Sequence, residues 1–573
     1  MRIRLDLTKR DWLSIVVLSL VFFSVAVWNL GLTKAPVTTW QTNENNSFYI
    51  DLGESANVDT VFFLVKNGAT DVQFFTGSPG SWDASNMNIS IQFRYYSWSE
   101  IEVDSPTRYL RFEVQPKSFI ELAEVCVLSS TSQKLVIVAV NGEGESDPNL
   151  SNLVDEQNLV ALPPTYVGET YFDEIYYVRS AEQYLNLQVP YEWTHPPLGK
   201  LIIAFGISVF GFNPFGWRIM GVIFATLMIP LIYVLGKRLF GTWVGGFASA
   251  FLLAFDFMHF TMARIATVDT YVVFFSIASQ LFFLFYLKRV LRDGWKTSVL
   301  PLFLAILFFA LAFSTKWFVL YGFMGQLVLL VTLRLKEVLK LEKGLADKVY
   351  AFTSHPFSVI LGFLLISVLV YFLTYIPDLL AGRTLAGVIN LPGSMYNYHA
   401  TLTATHPFSS PWWTWPLILR PLWLYVSILP YNTISTITLM GNPIVWWIGF
   451  ACIIAISTFT LVKIVASAGK QLGINVGLPE IFIITFFFFQ WIPYMLISRV
   501  TFIYHFYLNV PFLSLATAYF ISKHWRNKWA KLASIAYFAG VLALFALFYP
   551  AISGLPASNS WIDSLKWING WAF

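Results

Sequence analysis

Charged residues are scarce in this chain of 573 residues, and their scarcity argues against a soluble globular protein. Asp, Glu, Lys and Arg make up 12% of the sequence, while hydrophobic residues make up 56%. A soluble domain carries about a quarter charged residues, so this chain has too little polar surface to face water on all sides. The composition therefore predicts a protein that lies largely in a lipid bilayer.

Cysteine and the common nucleotide-binding motifs are also rare or missing. Cys126 and Cys452 are the only cysteines. They are too few for a disulfide framework, and no paired Cys/His spacing predicts a structural zinc site. No glycine-rich phosphate-binding loop or dinucleotide fingerprint follows a strand pattern, which argues against an ATP-driven engine. The net charge of +4 is spread along the chain and predicts no nucleic-acid surface.

What the chain does have is long apolar runs. The first covers residues 12–32 and follows four basic residues, Arg2, Arg4, Lys9 and Arg10. About twenty apolar residues cross the hydrocarbon layer, and this run is longer than the apolar core of a cleaved signal peptide. We therefore expect residues 1–32 to form an uncleaved anchor helix with a cytoplasmic N-terminus, rather than a removed signal peptide.

Ten further apolar runs follow, which together with the anchor predict about eleven transmembrane helices. They lie near residues 217–236, 241–258, 268–287, 298–314, 317–333, 356–376, 442–462, 478–497, 502–521 and 530–550. Residues 198–212 are apolar too, but this run is short and interrupted by glycine. Because counting it as a span would reverse every later basic connector, we expect it to be an interfacial segment.

Basic residues occur in alternate connectors between these runs. The clusters are Lys237/Arg238, Lys288/Arg289/Arg292/Lys296, Arg334/Lys336/Lys340/Lys343/Lys348, Lys463/Lys470 and Lys523/Arg526/Lys528/Lys531. The positive-inside rule places them in the cytoplasm with the N-terminus. We therefore expect a multi-pass membrane protein, with loops 33–216 and 377–441, the C-terminus and any active site on the extracytoplasmic side.

Residues 33–160 differ from the rest of the chain. They are more polar and contain short alternating runs, such as SFYIDLG, VDTVFFLV and RYLRFEV, separated by Gly, Pro, Asn and Asp turns. This pattern predicts an outer β-sandwich inserted into an otherwise all-α polytopic membrane protein. Its strand order resembles that of discoidin, or galactose-binding-like, domains. Such a domain would hold glycans or a partner, or would serve as a lid or spacer over the membrane domain of residues 161–573.

Ionisable residues collect near the outer ends of the predicted spans, where they are costly and therefore candidates for function. The first outer loop, 171–216, opens with an Asp-Glu pair. An outward-facing enzyme has no ATP or nucleotide sugar, but membranes supply sugars on polyprenyl phosphates. Arginine suits the departing phosphate. The acceptor hydroxyl needs a carboxylate base to take its proton, and an exposed carboxyl is ionised at neutral pH. One such base and a departing phosphate are sufficient for a single displacement with inversion.

The motifs that carry these residues resemble those of the protein O-mannosyltransferases, a family of the C-type glycosyltransferase superfamily. In chain order they are FDE, THPPLGKL, NPFGWRIMG, DFMHFTMARIATVD, STKW, YNYHATLTATHPFSSPWWTWPL, RPLWLYVS, GNPIVWW and RVTFIYHFYLNVPF. The resemblance implies the C-type fold. It also implies transfer of mannose, or a related hexose, from a dolichyl- or polyprenyl-phosphate sugar to Ser or Thr of an exported protein.

The resemblance also assigns expected roles to individual residues. Asp173 would be the catalytic base, with Glu174 beside it. The residues that would bind the lipid phosphate or line the substrate site are Arg218, Arg264, Asp269, Arg499, His195, Lys200, Lys316 and His399. Members of this family need no metal, whereas related C-type enzymes do, so a divalent cation stays open. The oligomeric state is not indicated.

Two departures from the family pattern bear on function. The loop 377–441 is too short to hold the MIR module of eukaryotic members, which favours a bacterial or archaeal enzyme at the plasma membrane. The β insert before FDE is foreign to the family pattern, so the acceptor could differ as well.

Other functions remain open at this point. A lipid or a cell-wall glycan is an alternative acceptor, because C-type enzymes with similar cores differ in acceptor. A secondary transporter would place its ionisable groups near the midplane and show inverted repeats, and no repeat is visible. A non-catalytic receptor, with the β insert as its sensor, would not need the acid–arginine constellation.

Overall fold

The structure is a computed structural model in which residues 6–83, 88–143, 147–295, 297–468 and 476–573 are described. Four basic residues used in the topology prediction, Arg2, Arg4, Lys296 and Lys470, lie outside the described residues. The described chain forms a set of packed helices and, between the first and second helix, an antiparallel sheet.

The described residues contain eighteen α-helices. In chain order they are α1 (Lys9–Val27), α2 (Glu174–Leu185), α3 (Leu198–Phe210), α4 (Pro214–Phe240), α5 (Trp243–Ala254), α6 (Phe257–Ala263), α7 (Asp269–Asp293), α8 (Leu300–Phe313), α9 (Leu320–Val338), α10 (Leu345–Ser354), α11 (Phe357–Leu373), α12 (Ile376–Leu380), α13 (Leu385–Thr401), α14 (Pro443–Ala468), α15 (Leu478–Trp491), α16 (Val510–His524), α17 (Lys528–Ser553) and α18 (Asn559–Ser564).

Each predicted apolar run contains a helix, but not every helix is long enough to cross a bilayer. Among the described residues, eight helical segments are long and apolar enough, and the pair α5–α6, bent by 60°, makes a ninth if it is one span. The shorter helices α8 and α16 would complete the predicted set. The count of about eleven therefore stays a prediction, while the multi-pass helical architecture is confirmed.

Helix α3 corresponds to the apolar run that we expected to be interfacial. It has 13 residues, which give a length of about 20 Å, short of the ~30 Å hydrocarbon layer. Phe205 and Val209 on this helix are more than half exposed. Its length fits a segment that does not span the bilayer, and its place at the interface stays a prediction.

Helix α1 connects two chemically different ends of the helical part. At its N-terminal end, the Asp11 carboxylate pairs with Lys237, a residue of the first basic cluster that lies in the last turn of α4. At its C-terminal end, Arg264 donates hydrogen bonds to the carbonyl oxygens of Ala26 and Trp28, both at 2.7 Å. A basic connector and a candidate site residue thus lie at opposite ends of one helix, as the charge pattern predicts.

The insert between α1 and α2 forms a six-stranded antiparallel sheet, called the β-domain below. Its strands are β1 (Trp40–Thr42), β2 (Asn46–Ser78), β3 (Ser81–Asp83), β4 (Asn88–Ser129), β5 (Lys134–Leu135) and β6 (Ala139–Gly142). Residues 56–73 of β2 pair with residues 88–107 of β4, and residues 58–75 pair on the other side with residues 111–129. The antiparallel strands were predicted, but this single sheet does not confirm a two-sheet sandwich.

The two faces of the β-domain pack against different partners, because successive side chains of a strand point to opposite faces. Val61 and Phe63 belong to a core that the β-domain forms by itself. Phe62, Leu64 and Tyr96 belong to the core of the membrane helices. The β-domain is therefore packed onto the helical part through an apolar face.

A second, smaller sheet forms partly within the outer loop 377–441. Its strands are β7 (Leu422–Leu429), β8 (Thr433–Leu439) and β9 (Ala557–Ser558), paired antiparallel in the order β7–β8–β9. The sequence analysis did not predict this hairpin. It brings the outer loop and the chain's C-terminal region together beside α2.

Candidate active site

Asp173 and Glu174 stand where α2 begins. Asp173 is the residue that precedes the helix, and Glu174 is the first residue within it. Phe172, just before them, has a φ of +50°, a left-handed conformation that costs a bulky residue about 1–3 kcal/mol. Strain of this kind persists where the surrounding structure holds a side chain in place. Here it sets the direction in which the chain enters α2.

The Glu174 carboxylate is fully buried and fully bonded. Its two oxygens accept hydrogen bonds from Nε and Nη2 of Arg218, at 2.8 and 2.7 Å, and neither side chain is exposed. The backbone N–H groups of Ala266 and Tyr171 donate to the same carboxylate, at 2.8 and 3.2 Å. A buried carboxylate held this way is an anchor, and it has no free lone pair directed at a substrate.

Arg218 likewise has no donor left for a ligand. Its Nη1 donates to the carbonyl oxygens of Leu30 and Tyr166, at 3.1 and 2.8 Å, and its Nη2 donates to that of Glu169 at 2.6 Å. Together with the two bonds to Glu174, all five N–H groups are engaged. The structure therefore does not support the predicted direct contact between Arg218 and a lipid phosphate.

Arg264 is also used within the protein. Besides Ala26 and Trp28, its guanidinium donates to the carbonyl oxygen of Asn29 at 2.9 Å, and the residue is only 4% exposed. These carbonyls lie at and just beyond the C-terminal end of α1, where the helix dipole favours a cation. Arg264 holds α1 beside the site, and this geometry does not support the predicted phosphate contact.

Asp269 and Lys316 form a second buried ion pair in the region. The Lys316 Nζ lies 2.9 Å from Asp269 Oδ1, and both side chains are less than one-tenth exposed. Asp269 begins α7, and Lys316 lies in the turn between α8 and α9. The structure thus brings together two motifs, RIATVD and STKW, that are far apart in the sequence.

Glu192 is a site residue that sequence reasoning missed. Its carboxylate accepts hydrogen bonds from Lys200 Nζ at 2.7 Å, from His195 Nδ1 at 3.0 Å and from the Thr194 hydroxyl. Lys200 is 1% exposed, and a buried lysine needs a carboxylate partner. That requirement is the signal that would have pointed to Glu192, the one acidic residue in the stretch YEWTHPPLGK.

His399 presents an unpaired acceptor. Its Nε2 donates to the carbonyl oxygen of Thr194 at 2.9 Å, and its Nδ1 is buried without a partner among the described residues. Burial is the largest cause that lowers the pKa of His399, to about 4, and the neighbouring His195, Arg499 and Lys316 lower it further. The imidazole is therefore neutral near pH 7, and its Nδ1 lone pair is available to a donor group.

A cavity of about 540 Å³ brings four of the predicted residues together. His195, Lys316, His399 and Arg499 all line it; it is called the donor cavity below. Arg499 makes no ion pair or hydrogen bond with any of the described residues. Among the arginines predicted for the site, Arg499 is thus the one whose guanidinium is open to a ligand.

Asp173 differs from Glu174 because its carboxylate has no hydrogen-bond partner in the part of the chain that the structure describes. From the sequence, an exposed carboxyl that is ionised at neutral pH was expected, and the structure differs. Burial raises the pKa of Asp173, Lys316 lowers it, and Asp269 and Glu192 raise it, which leaves a pKa of about 7. A carboxyl that titrates near neutrality is suited to take a proton from a hydroxyl.

Apart from that of Asp173, the carboxylates named in this region pair with basic side chains. Glu174, Glu192 and Asp269 each bond a basic side chain. Among the described residues, the one acidic group with metal-like spacing is Glu124, Asp155 and Glu156, outside this region.

Two family models match the membrane part of the chain. Residues 194–361 match the model described as dolichyl-phosphate-mannose-protein mannosyltransferase. Residues 384–571 match the C-terminal four-transmembrane region of protein O-mannosyltransferase. These ranges contain Lys316, His399 and Arg499, whereas Asp173 precedes both of them.

Several curated proteins are similar to this chain over most of their length. The polyprenol-phosphate-mannose–protein mannosyltransferase of Mycolicibacterium smegmatis is 25% identical over 474 residues, which cover 71% of this chain and 89% of that protein. A protein of the same name from Mycobacterium tuberculosis is 25% identical over 472 residues, with 71% and 87% covered. The one from Corynebacterium glutamicum is 25% identical over 439 residues, with 66% and 81% covered.

Among solved structures, the Saccharomyces cerevisiae protein O-mannosyltransferase Pmt1-Pmt2 complex bound to the sugar donor is similar, with a TM-score of 0.58. The sequence identity is 14%, and the match covers 70% of this chain and 89% of that chain. At this identity the likeness shows a shared fold.

Proposed function

This chain belongs to the protein O-mannosyltransferase family of C-type membrane glycosyltransferases, and we propose that it transfers a mannosyl residue from a polyprenyl-phosphate donor to a Ser or Thr hydroxyl of an exported protein. The names of the relatives supply the donor and the acceptor class. The arrangement of Asp173, Arg499 and the donor cavity supports the proposal.

In the proposed step, the acceptor oxygen attacks the anomeric carbon of the sugar while the bond from that carbon to the phosphate oxygen breaks. The Asp173 carboxylate takes the proton of the acceptor hydroxyl. The electron pair of the broken bond leaves with the polyprenyl phosphate, so no second carboxylate is needed to protonate the leaving group. One displacement of this kind inverts the anomeric configuration.

The observation that carries the proposal is the open guanidinium of Arg499 in the donor cavity. The cavity wall also holds Lys316, the lysine whose charge acts on Asp173. A guanidinium presents paired N–H groups that match phosphate oxygens, and it stabilises the charge that develops on the leaving group. In this proposal the base and the phosphate ligand act on the same reaction centre.

The remaining walls of the donor cavity fit the other parts of such a donor. The unpaired Nδ1 of His399 would accept a hydrogen bond from a sugar hydroxyl. Leu320 and Leu496 line the cavity and are 42% and 80% exposed, and the neighbouring Met495 is 58% exposed. This apolar edge suits an isoprenoid chain that enters from the bilayer.

The buried pair of Glu174 and Arg218 has a supporting role in this proposal. It fixes the first turn of α2, and with it Asp173, to the chain segments around Leu30, Tyr166 and Glu169. Glu192 supports the donor cavity in the same way through His195 and Lys200. These residues position others, because their own polar atoms are used within the protein.

The proposed orientation places the site outside the plasma membrane and the N-terminus in the cytoplasm. Two contacts of α1 support this orientation. Asp11 pairs with Lys237 at one end of the helix, and Arg264 bonds the carbonyl groups at the other end. The positive-inside rule then makes the basic end cytoplasmic.

The experiment that tests the function is incubation of the purified protein with a panel of labelled polyprenyl-phosphate sugars. Each reaction contains a Ser/Thr peptide, a cell-wall glycan or no acceptor, with and without a metal chelator. Transfer of mannose to the peptide, unaffected by the chelator, is expected. Transfer to the glycan alone would show that the acceptor is a glycan and not a protein. If no donor is consumed, the proposal is refuted.

A further inference from the structure

We propose, resting on the function proposed above, that an extended segment of the acceptor polypeptide binds in a groove between the β-domain and the β7–β8 hairpin. The groove is a cavity of about 640 Å³, called the acceptor groove below. It lies apart from the donor cavity and shares no lining residue with it. The β-domain forms one of its walls, and the outer-loop hairpin forms the other.

The hairpin wall is the edge of strand β7. Residues 423–428 line the groove without a gap. A strand that turns only one face to a cavity would contribute every second residue, because its side chains alternate. Along its other edge β7 pairs with β8, and within the described residues it pairs with no further strand. The backbone N–H and C=O groups of its open edge therefore face the groove.

The opposite wall is the part of β4 that runs from Ser97 to Glu100. Glu169 holds the two walls together: one carboxylate oxygen accepts from the Ser97 hydroxyl and the Trp98 backbone N–H, at 2.8 and 2.9 Å. The other oxygen accepts from the Tyr425 hydroxyl of β7 at 2.9 Å. This buried carboxylate fixes the width of the groove at its base.

The groove reaches the residues on both sides of the proposed base. Tyr171, Phe172 and Ile175 line it, and Asp173 lies between them in the chain. The positive charge of Lys316, which lines the donor cavity, lowers the pKa of Asp173. A hydroxyl presented from the acceptor groove would therefore lie beside Asp173 and attack the anomeric carbon from the side away from the leaving phosphate.

An extended polypeptide is the occupant that these walls fit. An open strand edge offers a row of unpaired donors and acceptors, and an extended chain adds to it as a further strand. Residues 423–428 provide about 20 Å of edge at ~3.4 Å per residue, enough for about six residues of an acceptor. Because such binding uses the backbone, side chains are left free, and a Ser or Thr side chain can reach Asp173.

Thiol protection tests this groove separately from catalysis. Ser99→Cys places a thiol on the β-domain wall, Val426→Cys places one on β7, and the exposed Val136→Cys, outside the groove, is the matched control. At ten times its Kd, a Thr-containing peptide fills about nine-tenths of the sites, so labelling of the two groove variants should slow about tenfold. The wild-type protein, with its two native cysteines, gives the background rate.

The recognition mode is tested by changing the peptide. A peptide with Ala in place of Thr should still protect both groove variants, whereas a backbone N-methylated peptide should not. No protection at either wall, or protection by an oligosaccharide and not by the peptide, would overturn the proposal. If the protein transfers mannose but the peptide does not protect the thiols, the proposed acceptor groove is wrong and the proposed function stands. If the peptide protects but no donor is consumed, the function fails instead.

Discussion

Glu174 and Arg218 are joined by two hydrogen bonds, at 2.8 and 2.7 Å, and neither side chain is exposed. The preceding residue, Asp173, bonds no side chain among the described residues. Two adjacent carboxylates thus differ: Glu174 anchors the start of α2, and Asp173 is left without a hydrogen-bond partner, as the proposed base requires. The same division separates Arg218, which is saturated within the protein, from Arg499, which is open to a ligand.

The anchoring role predicts that Glu174→Gln destabilises the protein. The substitution leaves the Arg218 guanidinium buried without a countercharge, which costs about 3–5 kcal/mol for a buried pair. Thermal unfolding in detergent should show a clear drop in melting temperature. Asp563→Asn, which removes an exposed pair with Lys566, is the control and should change it little. Equal stability of both variants would show that the buried pair is not an anchor.

The raised pKa of Asp173 predicts a pH dependence of transfer. Below the pKa of about 7 the carboxyl is protonated and cannot accept a proton, so the rate should fall about tenfold for each pH unit. Above pH 7 the rate should level off. The measurement is kcat against pH at saturating donor, with donor binding followed over the same range. A rate that stays constant down to pH 5 would mean that the base has an ordinary carboxyl pKa.

The phosphate role of Arg499 predicts a loss of donor affinity in Arg499→Ala. Loss of a hydrogen bond to a charged group costs about 1.5–3 kcal/mol, which corresponds to about 10- to 150-fold in Kd. Arg499→Lys should recover part of the affinity, because an ammonium keeps the charge but loses the paired N–H geometry. Arg420→Ala, which changes an exposed arginine of the outer loop 377–441, is the control. Unchanged donor binding in Arg499→Ala would exclude the phosphate contact.

The proposed orientation predicts one-sided labelling of single-cysteine variants. In intact cells, a membrane-impermeant thiol reagent should modify Leu187→Cys, which follows α2 and is 59% exposed. It should not modify Lys340→Cys, which lies in a basic connector and is exposed. Both positions should react once the membrane is broken. Labelling of Lys340→Cys alone in intact cells would invert the topology.

The sequence was sufficient to predict the helical membrane architecture and the motifs of the site. Apolar runs and alternating basic connectors are imposed by the bilayer itself. They can therefore be recognised in a sequence without knowledge of the tertiary contacts. The motifs around His195, Lys316 and Arg499 are brought into one cavity, as their resemblance to the family implied. The antiparallel strands of the β-domain followed from alternating patterns, but their pairing into one sheet did not.

The roles of individual cations could not be predicted, because they depend on which atoms lie around each guanidinium. In the sequence, Arg218 and Arg264 cannot be distinguished from Arg499. Only the structure shows that the guanidinium of Arg218 is bonded to Glu174 and backbone carbonyls, and that of Arg264 to backbone carbonyls. Glu192 was missed for a related reason, since its partners Lys200 and His195 were noted singly. The β7–β8 hairpin was missed because it lies in a loop that was defined only by its lack of a long apolar run.

The measurement that tests the central claim most directly is made on Asp173→Asn. The variant keeps the size of the side chain but removes the base, so the rate of mannose transfer to a Ser/Thr peptide should fall by about 10²- to 10⁴-fold. Donor affinity and melting temperature, measured on the same purified sample, should remain close to those of the wild-type protein. Transfer at the wild-type rate by a folded, donor-binding Asp173→Asn protein would show that this carboxylate is not the base.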